Sequence, residues 1–266
     1  MTSSAAQANK RHYEALAKVV ASGPSPEEQI EWNDIHWTAL AAEPGGVDYI
    51  EIDADGIRAM WVQPKGAAED RVIFYAHGGG FVSGSIYTHR KMVGHLAKAT
   101  GCRALLFDYA YAHQEKYPAQ LDTTLRAYRW LLDQDVPPKH IVLGGDSSGA
   151  ILVFGLLQLA RRESLPVPAG CVILSGWLDL ALTSASYETN KDKDVFFNRV
   201  GNQWLVANAL GEGGDPRDPL VSTRRGRALR NASAFLCANS KNVVGWTLNG
   251  WCVERSTCDS SPQLPI

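Results

Sequence analysis

The sequence predicts an α/β fold in which a mostly parallel sheet is covered by helices on both faces. Short apolar runs at 72–76, 103–109, 141–144 and 171–174 have the length and composition of buried strands. Segments with helical spacing of apolar residues separate them, at 88–100, 118–132 and 150–161. Regular alternation of strand and helix is typical of a parallel sheet with crossover helices.

The first 63 residues predict a different arrangement. Residues 1–40 read as polar helices broken at 23–26, where Ser25 can cap a helix that begins with Pro26. Residues 47–63 predict a β-hairpin, because apolar residues alternate on both sides of Asp55-Gly56. We therefore divide the chain into N-terminal helices at 1–45, a core at 46–220 and a tail at 221–266.

The nucleophile turn, residues 145–149, is the most informative motif. Gly145-Asp-Ser-Ser-Gly149 fits the pattern G-x-S-x-G, with a predicted strand before it and an apolar helix after it. Strand, sharp turn and helix are the context in which this pattern holds a nucleophilic serine. The positive end of the following helix would favour negative charge near Ser147. Ser147 is therefore the predicted nucleophile.

A second motif, the glycine loop of residues 77–81, follows the strand at 72–76. Its sequence His77-Gly-Gly-Gly-Phe81 is of the type that supplies backbone N–H groups to an oxyanion hole. Glycines are needed there because the attacked carbonyl must approach bare backbone. The predicted oxyanion donors are the N–H groups of Gly78, Gly79, Gly80 and Ser148. His77 itself is expected to hold the loop.

These motifs resemble the hormone-sensitive-lipase-like family of α/β-hydrolases, which are carboxylesterases. The resemblance covers about residues 25–220, and it includes Ser175-Gly-Trp-Leu-Asp-Leu180 and the stretch 108–119. It implies hydrolysis of small to medium acyl esters or lactones, without cofactor or metal. It also implies a cap made by the N-terminal helices and an insertion at about 181–210. Ordinary packing of these helices on the domain surface is the alternative.

The sequence departs from this family in the catalytic residues that are expected after Ser147. In this fold the catalytic residues come in the order Ser, Asp or Glu, then His. The histidines of this chain are His12, His36, His77, His89, His95, His113 and His140. All of them precede Ser147. Asp259 is the only aspartate after residue 220, and it does not lie in family context. The triad Asp and His therefore have no counterpart.

Three interpretations stay open. The first is that residues 221–266 come from a shifted reading frame. They carry six basic and two acidic residues, whereas residues 1–220 carry 20 basic and 26 acidic residues, and this reversal of net charge favours that interpretation. A non-catalytic ligand-binding protein is the second, as in the plant gibberellin receptors, which are relatives without the catalytic histidine. The third is a surrogate base, for which His113 is the best candidate because it follows a strand end. We expect the last strands of the sheet to be incomplete.

Net charge, cysteine content and the lengths of apolar runs limit the partners and the location that we expect. A net charge of −2 gives no reason to expect nucleic acid or an anionic membrane as partner. Five cysteines without regular spacing do not make a disulfide framework. No apolar run is long enough to span a bilayer, and the N-terminus has no signal-peptide core. We expect a cytoplasmic protein that binds a small-molecule ester, with a homodimer as an open alternative to a monomer.

Overall fold

A computed structural model describes residues 3–192, 194, 196–222, 235–238 and 243–246. The strands in chain order are β1 Val47–Asp53, β2 Arg58–Pro64, β3 Ala68–Ala76, β4 Cys102–Phe107, β5 Ile141–Asp146, β6 Gly170–Leu174, β7 Phe235–Ala238 and β8 Val243–Trp246. The α-helices are α1 Ser4–Ala21, α2 Pro26–His36, α3 Ile86–Thr100, α4 Ala119–Leu132, α5 Gly149–Arg162, α6 Ser186–Thr189 and α7 Arg199–Leu210.

The strands form one sheet in the order β1-β2-β4-β3-β5-β6-β7-β8. From β4 to β7 all neighbours are parallel, while β1 and β2 form the predicted antiparallel hairpin. The predicted α/β-hydrolase fold with its mostly parallel sheet is confirmed. Because the carboxyl ends of the parallel strands meet at one edge, the glycine loop after β3 and the nucleophile turn after β5 lie side by side.

Helices cover both faces of the sheet, as the sequence predicted. Alternate residues of β3 face opposite ways: Phe74 joins a core with α4 and α5, whereas Tyr75 joins a core with α3. Helix α5 is buried almost throughout, which explains its apolar sequence. The elements that carry the two motifs are thus fixed in the centre of the domain.

Local capping agrees with the sequence at the N-terminal helices. The Ser25 hydroxyl accepts the Glu28 N–H at 3.2 Å, and the Glu28 carboxylate accepts the Ser25 N–H at 2.8 Å. Pro26 occupies the first helical position. This reciprocal capping box stabilises the start of α2.

Two elements differ from what the sequence predicts. The apolar spacing over 196–210 predicts one amphipathic helix, but this helix begins only at Arg199, because the Asn198 side chain accepts the Gly201 N–H at 2.8 Å and caps it there. Past Leu220 the sequence predicts one strand, at 234–237, and β7 lies there, parallel to β6. The sheet then continues with β8, antiparallel to β7, which the sequence did not predict. Most of the tail, including Asp259, lies outside the described residues.

Candidate active site

Ser147 sits at the turn between β5 and α5. Its φ of 47° is in the left-handed region, which a side chain other than glycine adopts at a cost of about 1–3 kcal/mol. The turn is held by two backbone hydrogen bonds: the Ser147 N–H donates to Leu174 O at 3.2 Å, and the Trp177 N–H donates to Ser147 O at 2.8 Å. The predicted strand–turn–helix placement of Ser147 is confirmed.

Both sequence neighbours of Ser147 are bonded to the glycine loop. The Asp146 carboxylate accepts the Gly78 N–H at 3.0 Å, and the Ser148 hydroxyl accepts the Gly80 N–H at 3.0 Å. These contacts join residues 68 positions apart in the chain. Ser147 is therefore held against the glycine loop from both sides, as the pairing of the two motifs predicted.

The four predicted oxyanion donors do not play the same role in the structure. The Gly78 N–H is occupied by Asp146, so its predicted role as a donor to substrate is corrected. The Gly80 N–H is bonded to the Ser148 hydroxyl, which must turn away before this N–H can serve a substrate. Within the described part of the chain, the N–H groups of Gly79 and Ser148 have no hydrogen-bond acceptor. These two N–H groups are therefore free to donate to a ligand.

His77 supports the glycine loop, as the sequence analysis expected. Its ring is fully buried and stacks on Tyr109 with centroids 4.2 Å apart. Burial, reinforced by the charge of His89, lowers the pKa of His77 to about 4. The ring is therefore neutral at physiological pH, and its Nδ1–H donates to Gly78 O at 2.7 Å.

His89 and Asp146 form a part-buried pair that the sequence analysis missed. His89, only 6% exposed on α3, places Nε2 3.3 Å from both Asp146 carboxylate oxygens. Burial opposes the charged form of His89, but Asp146 outweighs burial and raises the pKa of His89. Burial likewise opposes ionisation of Asp146, but His89 outweighs it and lowers the pKa of Asp146. Each residue therefore favours the charged form of the other.

The pair predicts how stability depends on pH. A raised pKa makes the His89 contribution complete below its ordinary value of 6.5 and lost as pH rises through the folded value. A lowered pKa makes the Asp146 contribution complete above its ordinary 3.8 and lost as pH falls through the folded value. The pair is thus strongest between these two ordinary values. We expect His89→Gln to lower the unfolding free energy by about 3 kcal/mol near pH 5.5 and by less near pH 9.

Denaturant unfolding of the parent chain and His89→Gln at both pH values measures this difference. A penalty that is the same at both pH values would mean that His89 contributes packing and no charge.

His113 has no contact that would make it a surrogate base. Its ring stacks on Tyr111 with centroids 5.6 Å apart, and its buried Nδ1 has no hydrogen-bond partner among the described residues. All seven histidines are within the described residues, and none of them hydrogen bonds to Ser147. Among the residues that the structure describes, no histidine is therefore in position to accept the proton of the Ser147 hydroxyl.

Aromatic residues connect the N-terminal helices with the 181–210 insertion. Tyr13 of α1 and Trp37 after α2 both pack edge-on against Phe196, with centroids 6.1 and 5.7 Å away. Helix α7 also contacts the glycine loop, since a Cβ added at Gly80 would lie 2.9 Å from the Leu205 side chain. The two segments thus meet each other, and one of them lies on the loop.

Comparisons with known proteins agree with this geometry. Residues 73–243 match a protein family described as alpha/beta hydrolase fold. The chain belongs to that family. Its hormone-sensitive-lipase-like character is supported by a solved esterase of the bacterial hormone-sensitive lipase family, with TM-score 0.76 and 33% identity over 85% of this chain and 75% of that one. The matched residues pass Leu220, so the family likeness extends further than the sequence motifs indicated.

Two curated proteins are also similar to this chain in sequence. An acetyl-hydrolase of Streptomyces hygroscopicus is 34% identical over 70% of this chain and 60% of that protein. An esterase of Acinetobacter venetianus is 34% identical over 63% of this chain and 55% of that protein. The chain therefore spans somewhat more than half the length of these relatives. Within its described part, no helix has both the length and the apolar content to cross a membrane.

Proposed function

We propose that this chain is built as a serine carboxylic-ester hydrolase for small to medium acyl esters or lactones. One observation carries the proposal: Ser147 lies at a left-handed strand–helix turn, and both of its neighbours are hydrogen bonded to the glycine loop. The names of the similar proteins, acetyl-hydrolase and esterase, support the reaction class. We include a cytoplasmic location in the same proposal.

In the proposed reaction Ser147 Oγ attacks the ester carbonyl and forms a tetrahedral oxyanion. The N–H groups of Gly79 and Ser148 donate to this oxyanion, and each such donor is worth about 3–4 kcal/mol in the transition state. Collapse releases the alcohol and leaves an acyl-serine, which water then hydrolyses. The Ser147 proton must pass to solvent, because no described residue accepts it. Turnover is therefore expected to be slow.

The aromatic contacts suggest where the substrate is enclosed. We assign the N-terminal helices and the 181–210 insertion to a cap, because Tyr13, Trp37 and Phe196 join them and Leu205 packs on Gly80. Burial, with a smaller effect of the Asp146 charge, raises the pKa of Tyr13. An apolar cap suits uncharged acyl groups.

A non-catalytic ligand-binding protein is the second candidate. The observation that favours it is that none of the seven histidines hydrogen bonds to Ser147. Such a protein would take ester-like ligands by apolar burial, at roughly 25 cal/mol per Å².

Ser147→Ala separates the two candidates. For the enzyme, we expect the parent chain to hydrolyse nitrophenyl acetate faster than the variant, because the variant has no nucleophile. The oxyanion hole and substrate binding alone leave roughly 10³-fold catalysis over water when triad members are missing, so the variant keeps this background. For the ligand-binding protein, both chains should bind an unreactive ether analogue of the ester equally, and neither should hydrolyse the ester.

Ser164→Ala is the matched control. Ser164 also has a left-handed backbone conformation, with φ 55°, but it is exposed, follows the end of α5 and belongs to neither motif. It should leave hydrolysis unchanged. Hydrolysis in Ser147→Ala as fast as in the parent chain would contradict the proposed nucleophile, and the absence of both hydrolysis and binding would contradict both candidates.

A further inference from the structure

Three donors from three elements converge on the Asp146 carboxylate at the end of β5. Oδ1 accepts the Gly78 N–H at 3.0 Å and the Tyr75 hydroxyl at 3.1 Å. His89 on α3 contributes the third contact, with Nε2 3.3 Å from each carboxylate oxygen. Asp146 therefore joins β3, the glycine loop and α3 directly beside Ser147.

Gly78 is clamped by this arrangement. Its N–H goes to Asp146 and its carbonyl accepts His77 Nδ1–H, so both backbone polar groups are used. A Cβ at Gly78 would lie 2.2 Å from Asp146 Oδ2, and a Cβ at Gly84 would lie 2.1 Å from the Gly78 carbonyl. The peptide unit that begins at Gly78 carries the N–H of Gly79. Its orientation is thus set by contacts on both sides.

Both nitrogens of the His89 ring have polar partners. Thr88 Oγ1 accepts the Ser85 N–H at 2.8 Å and lies 2.9 Å from Ser85 O and 2.7 Å from His89 Nδ1. Nε2 faces the Asp146 carboxylate, which can only accept, so this nitrogen carries a proton and donates to Asp146. The His89 ring is therefore held between the start of α3 and Asp146.

We propose that Asp146 is a positioning residue whose carboxylate, held by the Nε2–H of His89, fixes the glycine loop against the nucleophile turn and so aims the Gly79 N–H at the oxyanion. Its catalytic part rests on the proposed function. A displacement of about 1 Å in such a constellation costs about 100-fold in rate, so a weakened clamp should lower kcat and leave ground-state binding unchanged.

The experiment compares the full chain with Asp146→Asn and His89→Gln. Asp34→Asn is the matched control, since Asp34 is a part-buried carboxylate that accepts the Ser85 hydroxyl at the start of α3 but does not touch the glycine loop. Near-UV circular dichroism establishes that each variant is folded. Amide hydrogen exchange is then followed separately for the glycine loop and for β3, and nitrophenyl acetate hydrolysis gives kcat and KM.

For Asp146→Asn we expect exchange in the glycine loop to rise by about 5-fold, because asparagine keeps the Oδ1 acceptor but loses the charge that strengthens this hydrogen bond. Exchange within β3 should be unchanged, and kcat should fall with KM unaltered. His89→Gln should change both quantities in the same direction and by less. It also serves as the deciding variant if Asp146→Asn does not fold. Asp34→Asn should resemble the parent chain.

A folded Asp146→Asn variant with parent-like loop exchange would overturn the inference. So would equal changes in Asp34→Asn, because the effect would then be a general loss of buried charge. If no chain hydrolyses the ester, the proposed function fails, but loop exchange still decides whether Asp146 positions the glycine loop.

Discussion

Replacing residues 221–266 with the C-terminal segment of a family esterase that carries the triad Asp and His should raise kcat for nitrophenyl acetate on the order of 10⁴- to 10⁶-fold. That is the scale lost when triad members are removed from a serine hydrolase. The physical reason is that Ser147 and its oxyanion donors are already placed in the parent chain, whereas no described residue accepts the serine proton. A base held by a carboxylate supplies the missing step.

The grafted chain needs two controls. Ser147→Ala in the graft must abolish the gain, and a graft whose histidine is changed to alanine must return to the parent rate. A folded graft with the parent rate would mean that the site is not arranged for acyl transfer. Full esterase activity of the unmodified chain, lost in His113→Ala, would instead make His113 the base despite its lack of contact with Ser147.

Gly149→Ala should be the most damaging small substitution in the nucleophile turn. A Cβ at Gly149 would lie 2.1 Å from the backbone oxygen of Ala76, and this oxygen belongs to the central strand β3 and cannot move independently. Overpacking of this kind costs about 3 kcal/mol. For a chain of this size the expected decrease in Tm is roughly 6–12 °C. Because β3 leads into the glycine loop, any residual hydrolysis should fall as well.

Gly45→Ala is the matched control for this substitution. Position 45 has ordinary φ, and nothing lies within 4 Å of an added Cβ. Its Tm should stay the same or rise slightly, because alanine restricts the unfolded chain. Calorimetry of the three proteins checks the prediction. Equal Tm values for the parent and Gly149→Ala would show that the turn and β3 can separate at little cost.

Most of the fold was predictable because its signals are local. The Asp55-Gly56 turn, the Ser25 cap and the strand–glycine–helix context of Ser147 each lie within a few residues of sequence. The sequence predicts the start of α7 three residues too early, because the apolar residues Phe196 and Phe197 lie just before the Asn198 cap. Local patterns thus predicted the helices and strands and the turn that holds Ser147, but not every boundary.

The support of the site could not be predicted, since it depends on side chains that meet across the sheet. His89 precedes Asp146 by 57 positions, and the only signal in the sequence is a histidine in the first helix after the glycine loop. Gly78 looked equivalent to Gly79, and only the position of Asp146 separates their roles. Such pairings follow from β3 and β5 being neighbours, which no local pattern specifies.

The two hydrogen bonds that span 68 residues have a consequence for folding. The glycine loop and the nucleophile turn are each formed by a local segment. They can act together on a substrate only after β3 and β5 have paired. Closing so long a segment has an entropic cost that must be met before the contacts form. In the proposed reaction, acylation of Ser147 by an ester should therefore begin only when β3 and β5 have paired. During refolding, the time at which acylation begins would report the assembly of the central sheet.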